Sequence, residues 1–423
     1  MTTNLFVDVH IVQSMPYNSV NRDRNGMPKV AVFGGVTRGR TSGQHDRRHA
    51  RDALEKALGE KAYRTRRTPQ EVAKRLAERG WDQGDALLAT QILIAALGIK
   101  GLGITDEGST NTLLFLPATA FDDLADLADA DRDTLTQAAN AARTAMEKAK
   151  KKTAPKSGTG EDNAEDDDTP TNDSDEDSGA TAILAKAAKT AKLEKTTIDA
   201  VRQILHTKNA SIAAYGRMLA NDPGSTTTGA VQTAHSISTH AVAPQIDFFS
   251  AVDDIVKNDG EETGAGHMGD QNYSSATYYR YSTVNMGALT TNLGGDHTTA
   301  NDVLTALLHA LATVVFPGKA TTTAPHAPPH LVYIAIRTDR PVNLVGAFET
   351  PVPAGPQGYL RASTAALDTH NQAVTDFFGP DNHLTHAHTT LISDQQHPSL
   401  GERLTSLEQL IQHTITAIAT HTK

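Results

Sequence analysis

The chain has 423 residues, a formal net charge of −10 and no cysteine, which excludes disulfides, thiolate nucleophiles and cysteine-ligated metals. No stretch reaches the roughly 18 uninterrupted apolar residues of a membrane helix, and MTTNLFVDVHIVQ lacks the basic region and apolar block of a secretion signal. A cytoplasmic protein of more than one domain, with no membrane partner, is expected. The acidity is local: Glu161 to Asp177 holds ten acids and no Lys or Arg, so removing them leaves a formally neutral remainder.

Leu5 to Ser14 (LFVDVHIVQS) alternates with period two and predicts a strand. Asn21 to Arg51 follows, with eight cations (Arg22, Arg24, Lys29, Arg38, Arg40, Arg47, Arg48 and Arg51) against Asp23 and Asp46. Five glycines and a proline separate the charges, Ser42 and Gln44 add uncharged donors, and arginine predominates. These are features suited to phosphate oxygens. A charge run is more often a solvated surface loop, but the glycines and the scarcity of acids favour a polyanion site. Within it Lys29 to Phe33 predicts a second strand. From Gln44 the pattern turns helical, with Ala50, Leu54 and Leu58 on one stripe, and a helix N-terminus there would itself favour phosphate.

Roughly Arg51 to His206 reads as a helical insertion, including a helix opening at Thr68-Pro69 and an Ala/Leu-rich region that takes in Leu113 to Phe115. Gly98, Gly101 and Gly103 lack the Lys-Ser/Thr of a nucleotide loop. Ser157 to Ser178 has no aromatic residue and predicts disorder. Beyond it come a helix over Ile198 to Ala220, the segment TAHSISTH at Thr233 to His240, and IDFFSAVDDI. There the adjacent Phe248 and Phe249 would face opposite sides of a strand. Ser274 to Met286 is β-rich, Asn301 to Val315 is an amphipathic helix, Leu331 to Ile336 a buried strand and Leu404 to Ile418 the last helix. Strands at both ends and a helical insertion predict an α+β fold of ferredoxin type.

Enzyme chemistry has little support. His383, His386 and His388 could bind zinc, yet no HExxH-like pattern accompanies them. Asp122-Asp123 and Asp253-Asp254 are adjacent and do not face each other on a helix, and no GxSxG occurs. No catalytic residue, metal or cofactor is expected.

In order along the chain stand NRD (Asn21 to Asp23), FGG (Phe33 to Gly35), RGRTSGQ (Arg38 to Gln44), GRM (Gly216 to Met218) and AHSISTH (Ala234 to His240). IDFFSAVDD (Ile246 to Asp254), GHMG through YYRY (Gly266 to Tyr281) and NLGG (Asn292 to Gly295) complete the set. With these blocks the sequence resembles the CasC-type (Cas-seven family) backbone subunit of the type I-E CRISPR surveillance complex, Cascade. The resemblance implies a non-catalytic, hand-shaped protein. Its modified RRM or ferredoxin-like palm would comprise residues 1–52, 230–241 and 278–423. The fingers would be a large helical insertion at 53–229, with a disordered acidic loop at about 153–180, and the extended thumb 242–277. It implies as partners a guide RNA (crRNA), target DNA reached through that RNA, and several neighbouring copies of itself, typically six. The large CasA-type, small CasB-type, CasD-type and CasE-type subunits would complete the ribonucleoprotein. Asn21, Arg22, Lys29, Arg38, Arg40, Ser42, Gln44, Arg47, Arg48, Arg51, Arg217 and Met218 would contact RNA. Phe248, Phe249, Val252 and His267 would shape a kinked base at the thumb. Phe248 stands where relatives often carry Trp, and Arg47 where Lys is common. Sequence-independent backbone binding would leave sequence reading to base pairing. The rival readings are a free-standing single-stranded RNA binder and a histidine-dependent metal hydrolase.

Overall fold

A computed structural model describes residues 5–153, 179–219, 222–252, 265–314, 316 and 318–421. The segment expected to be disordered, and the tip of the expected thumb, lie outside the described residues. The chain divides into two compact units, one formed by Met1–Gly59, Ala213–Tyr215 and Gly229–Lys423, the other by Glu60–Ile212 and Gly216–Thr228.

The first unit begins with β1 (Phe6–Asn18), β2 (Val30–Phe33), β3 (Val36–Thr41) and α1 (Gly43–Leu58). The chain then builds the second unit: β4 (Ala62–Thr65), α2 (Thr68–Glu78), α3 (Gln83–Ala96), β5 (Leu114–Pro117), α4 (Thr119–Ala130), α5 (Arg132–Thr153), α6 (Gly179–Thr190) and α7 (Lys195–His206). After α8 (Ala210–Tyr215) come β6 (Val231–Thr233), β7 (Ser236–Ser238), β8 (Gln245–Val252) and β9 (Ala265–Asn285). The order ends with α9 (Met286–Asn292), α10 (His297–Thr313), α11 (Ala320–Thr323), β10 (Leu331–Arg337), α12 (Leu360–Phe378), β11 (His383–Thr390), β12 (Glu402–Arg403) and α13 (Leu407–His421).

The first unit is a mixed α/β body around one large sheet, in the order β12-β11-β10-β1-β9-β7-β3-β2, with β6 and β8 also paired to β9. Its centre is antiparallel: β1 pairs with β10 from Phe6↔Arg337 to Val12↔Leu331, and with β9 from Phe6↔Asn285 to Asn18↔Ser274. Along β1, Val7, Val9 and Ile11 alternate with Asp8, His10 and Val12, and all six are buried. One face carries Val12, Tyr279, Tyr281 and Tyr333 against Leu344 and Phe348 of the 3-10 turn Leu344–Phe348 and Leu367 of α12. On the other, Arg280 donates to the carbonyl of Leu311 in α10 (3.0 Å), and α10 packs on α1 and α13. Polar side chains survive inside because they pair. Asp8 accepts from Tyr281 Oη (2.9 Å) and Val342 N (2.9 Å) and faces Arg337 Nε at 3.3 Å.

The second unit is helical around an apolar core in which Leu76, Ile92, Phe121, Leu124, Leu135, Leu184 and Val201 are buried. Two expectations are corrected here. Leu114–Pro117 is a strand, paired antiparallel with β4, and not part of a helix. A four-residue apolar run has no periodicity to separate the two. The helix expected over Ile198 to Ala220 is broken by a fresh start at Asn209, whose Oδ1 accepts the N–H of Ile212 (3.1 Å) and caps α8. No described helix is long and apolar enough to cross a membrane.

Candidate nucleic-acid interface

The basic stretch folds as a loop, a hairpin and a helix. Asp23 Oδ1 accepts the N–H groups of Asn25 (2.8 Å) and Met27 (3.0 Å), and Arg22 bridges to Pro28, closing the loop. The β2–β3 hairpin turns through Gly34-Gly35, with φ of +58° and +77°, values that glycine adopts freely. A Cβ on Gly34 would lie 1.7 Å from the Glu349 carbonyl oxygen, so the turn docks backbone to backbone. Asn21 joins loop to helix: its carbonyl accepts Lys29 N (2.9 Å) and its Oδ1 accepts Ser42 N (3.0 Å).

Ser42 caps α1, its hydroxyl accepting from His45 N at 3.4 Å. Asp46, the acid of the first turn, is buried beneath it and accepts from Thr41 Oγ1 (2.9 Å) and Ser236 Oγ (2.5 Å). Burial pushes its carboxyl up, but His45, the Arg280 charge and the two hydroxyls outweigh that and hold it below the ordinary carboxylate range. The motif AHSISTH is therefore scaffolding. Ser236 anchors Asp46, and Ser238 Oγ accepts Gly39 N (3.0 Å). His240 lies flat on Tyr359, with ring centroids 3.5 Å apart, and burial lowers its pKa. Its Nδ1 bonds the Ala241 carbonyl and its Nε2 receives Thr277 N–H, an arrangement met by the neutral ring with its proton on Nδ1.

The expected contact residues separate into three groups. Arg22, Gln44 and Arg48 are exposed and Lys29 half-buried; none makes a side-chain hydrogen bond or ion pair among the described residues. Arg24, left out of the expected contacts, is exposed and unpaired in the same way. A second group is half-committed. Arg40 donates to His235 Nδ1 (2.9 Å), Arg47 donates to the Tyr215 carbonyl (2.8 Å) and stacks on that ring, and Arg51 lies 3.5 Å from Glu55. His235 was missed as a neighbour of Arg40, since nothing in the sequence brings residues so far apart together.

Two expected phosphate contacts are corrected. Arg38 is fully buried, giving Nε to the Phe33 carbonyl (3.1 Å), Nη1 to that of Ser238 (3.0 Å) and Nη2 to that of Phe348 (2.8 Å). Arg217, in the second unit, is buried on the carbonyls of Ser225 (2.8 Å), Thr207 (2.9 Å) and His206 (3.0 Å). Both guanidiniums are internal bolts. Met218 beside it is 81% exposed.

β8 and the first half of β9 form an antiparallel ribbon, from Gln245↔Tyr273 to Val252↔Ala265. Phe248 is 62% exposed on the face it shares with Ile246 and Met268. Phe249 covers Gly269 on the opposite face, where a Cβ would meet its ring at 2.8 Å. Val252 and His267 lie on this ribbon, the latter opposite Ala251, but their side chains fall outside what is described. His383, His386 and His388 lie on β11. Among the described residues no three His, Asp or Glu side chains come together as a metal site.

An exposed set of arginines around a serine-capped helix start can hold phosphates by charge-assisted hydrogen bonds. The sequence profile of the family described as CT1975-like protein matches residues 7–413. No curated protein gives a significant match. Among solved structures, a chain titled "CRISPR RNA-guided surveillance complex, pre-nicking" is 34% identical, with 97% of this chain and 99% of that one covered, at a TM-score of 0.79. Another, titled "CRISPR RNA-guided surveillance complex", is 30% identical over 97% of this chain and 99% of that one, at a TM-score of 0.70. The chain belongs to the CT1975-like, Cas7-type family of CRISPR surveillance-complex backbone subunits.

Proposed function

We propose that this protein is the non-catalytic, guide-RNA-binding backbone subunit of a type I-E Cascade, several copies of which line one crRNA and present it to target DNA. The observation that carries the reading is the set of cations Arg22, Lys29 and Arg48, without an ion-pair or hydrogen-bond partner among the described residues, that stands with Gln44 about the capped start of α1. Arg40, Arg47 and Arg51 would complete the groove once RNA competes for their present partners. Phosphate contacts of this kind are indifferent to sequence and position the strand without reading it. That suits a subunit whose relatives are titled RNA-guided.

In this reading the first unit supplies an RRM-like palm, the second the fingers, and the β8–β9 ribbon the thumb. Met218 would be an apolar wedge against bases, and Phe248, Phe249, Val252 and His267 would shape the kinked base at the thumb. The large, small, CasD-type and CasE-type subunits would complete the particle in the cytoplasm. Purifying the tagged protein from its host and sequencing the accompanying nucleic acid tests this. Small RNAs of uniform length with shared repeat-derived ends, and several protein partners, are expected. Mixed RNA without common ends would replace the reading with a free-standing RNA binder, and no nucleic acid at all would end it.

A further inference from the structure

The second unit treats its cations in two ways. On its helices several are neutralised: Arg75 pairs with Asp122 (2.5 Å), Arg79 with Asp126 (2.6 Å), Lys74 with Glu71 (2.7 Å), and Arg143 with Asp85, while Lys186, Lys189 and Lys195 are exposed and without an ion pair among the described residues. On β4 and the turn after it, KAYRTRR places Lys61, Arg64, Arg66 and Arg67 in seven residues with no acid among them. All four are exposed, and none makes an ion pair or side-chain hydrogen bond among the described residues. The flanking acids are occupied, Glu60 by the N–H of Ala210 (3.1 Å) and Glu71 by Lys74.

The aromatic rings here narrow the choice of ligand. A single-strand binder needs open ring faces on which unstacked bases can lie. Tyr63 is 42% exposed, but the Lys61 ammonium sits 5.3 Å from its ring centroid and Phe121 packs at 5.8 Å. Phe115, on the partner strand β5, is buried beneath the Arg64 guanidinium at 5.1 Å. Cations cap both rings and no bare platform remains. What the surface offers is positive charge carried on β4, about 13 Å of extended chain, and on the turn that follows it. That fits a backbone whose bases are already stacked away.

We infer that β4 and the following turn form a second nucleic-acid surface, which holds the phosphate backbone of duplex DNA without reading its sequence. This goes beyond the guide-RNA reading and uses none of the residues assigned to it. The test is fluorescence anisotropy of a random-sequence DNA duplex on the full chain, with and without a bound guide-length RNA, across a salt series. It is run on wild type and on the Arg64→Gln/Arg66→Gln/Arg67→Gln triple variant. The expected result is that the triple variant's salt slope falls by about three units and its affinity near 0.1 M salt falls at least ~10-fold. RNA affinity should stay at the wild-type value. Equal duplex binding by both proteins, or no duplex binding by wild type, would overturn the inference. So would an equal loss of RNA and duplex binding, which would return these cations to the RNA. Arg48→Gln separates the two readings, because it should weaken RNA binding alone. If neither protein holds RNA while the triple variant still loses the duplex, the guide-RNA reading fails and this one stands.

Discussion

Arg38 in β3 and Arg48 in α1 stand ten positions apart in one basic run, and the structure gives them opposite tasks. Arg38 is enclosed, with its donors aimed at three carbonyls, one from the adjoining strand β2 and two from distant segments. Arg48 is exposed and has no partner among the described residues. The same charge is a bolt where β7 and the 348–349 turn close over it, and a ligand-facing group where the helix leaves the sheet. Charge density along a sequence therefore overstates the size of a binding site, because part of it is consumed by the scaffold that holds the rest in place.

The sharpest way to break this contrast is Arg38→Ala. It should destabilise the protein by about 3–5 kcal/mol in denaturant titration, since three buried carbonyls lose their donor at once. A loss below about 1 kcal/mol would put Arg38 back among the surface cations. Gly34→Ala tests the docked turn beside it. A Cβ driven into the Glu349 carbonyl, at a φ that disfavours side chains, should cost about 2–3 kcal/mol.

A smaller effect should come with pH. Burial, the Arg337 charge and the neighbouring His386 push His383 down to about 4. Between that value and its ordinary 6.5 the unfolded chain binds the proton and the folded one does not, so stability should rise as pH is raised through this window. Asp8, raised by burial to about 6, works in the opposite sense between 3.8 and 6. His10, His386, His388 and His397 are all lowered and add to His383. Denaturation midpoints at pH 5 and 7 should therefore differ in favour of pH 7, and His383→Gln should narrow the gap. An unchanged gap would show that His383 titrates normally.

On the exposed side, Arg48→Gln should leave stability within about 0.5 kcal/mol and lower the salt slope of RNA binding by about one unit. An unaltered slope would remove Arg48 from the groove. Least costly to the isolated protein is Phe248→Ala, expected within about 0.5 kcal/mol because the ring is largely in solvent. Its effect should emerge only in the length of assemblies formed on RNA, seen by analytical ultracentrifugation.

Local pattern was enough for the elements that carry the chemistry. KVAVF announces β2 and the Ala50–Leu54 stripe announces α1, while LVYIAI reads at once as a strand buried on both faces. The division of labour among the arginines was not legible. Arg38 and Arg40 are two residues apart in one strand with near-identical neighbours. Only the arrival of Ser238 and Phe348, some 200 and 310 positions later in the chain, decides which is enclosed. The pairing of Arg40 with His235 is hidden for the same reason. Leu114–Pro117 shows the complementary limit, for its edge partner β4 dictates the strand where its own residues do not.

β9 runs as one strand from Ala265 to Asn285, about 70 Å if fully extended. Its first half forms one leg of the ribbon with β8, and its second half lies against β1 at the centre of the sheet. No loop intervenes between the two halves. A neighbour gripping the ribbon would load the protein as through a cantilever, its root clamped from Ser274 to Asn285 by the ladder with β1. Strain applied there would be carried as shear across the middle of the sheet and would not be absorbed at a joint. A line of such subunits would behave as a stiff rail.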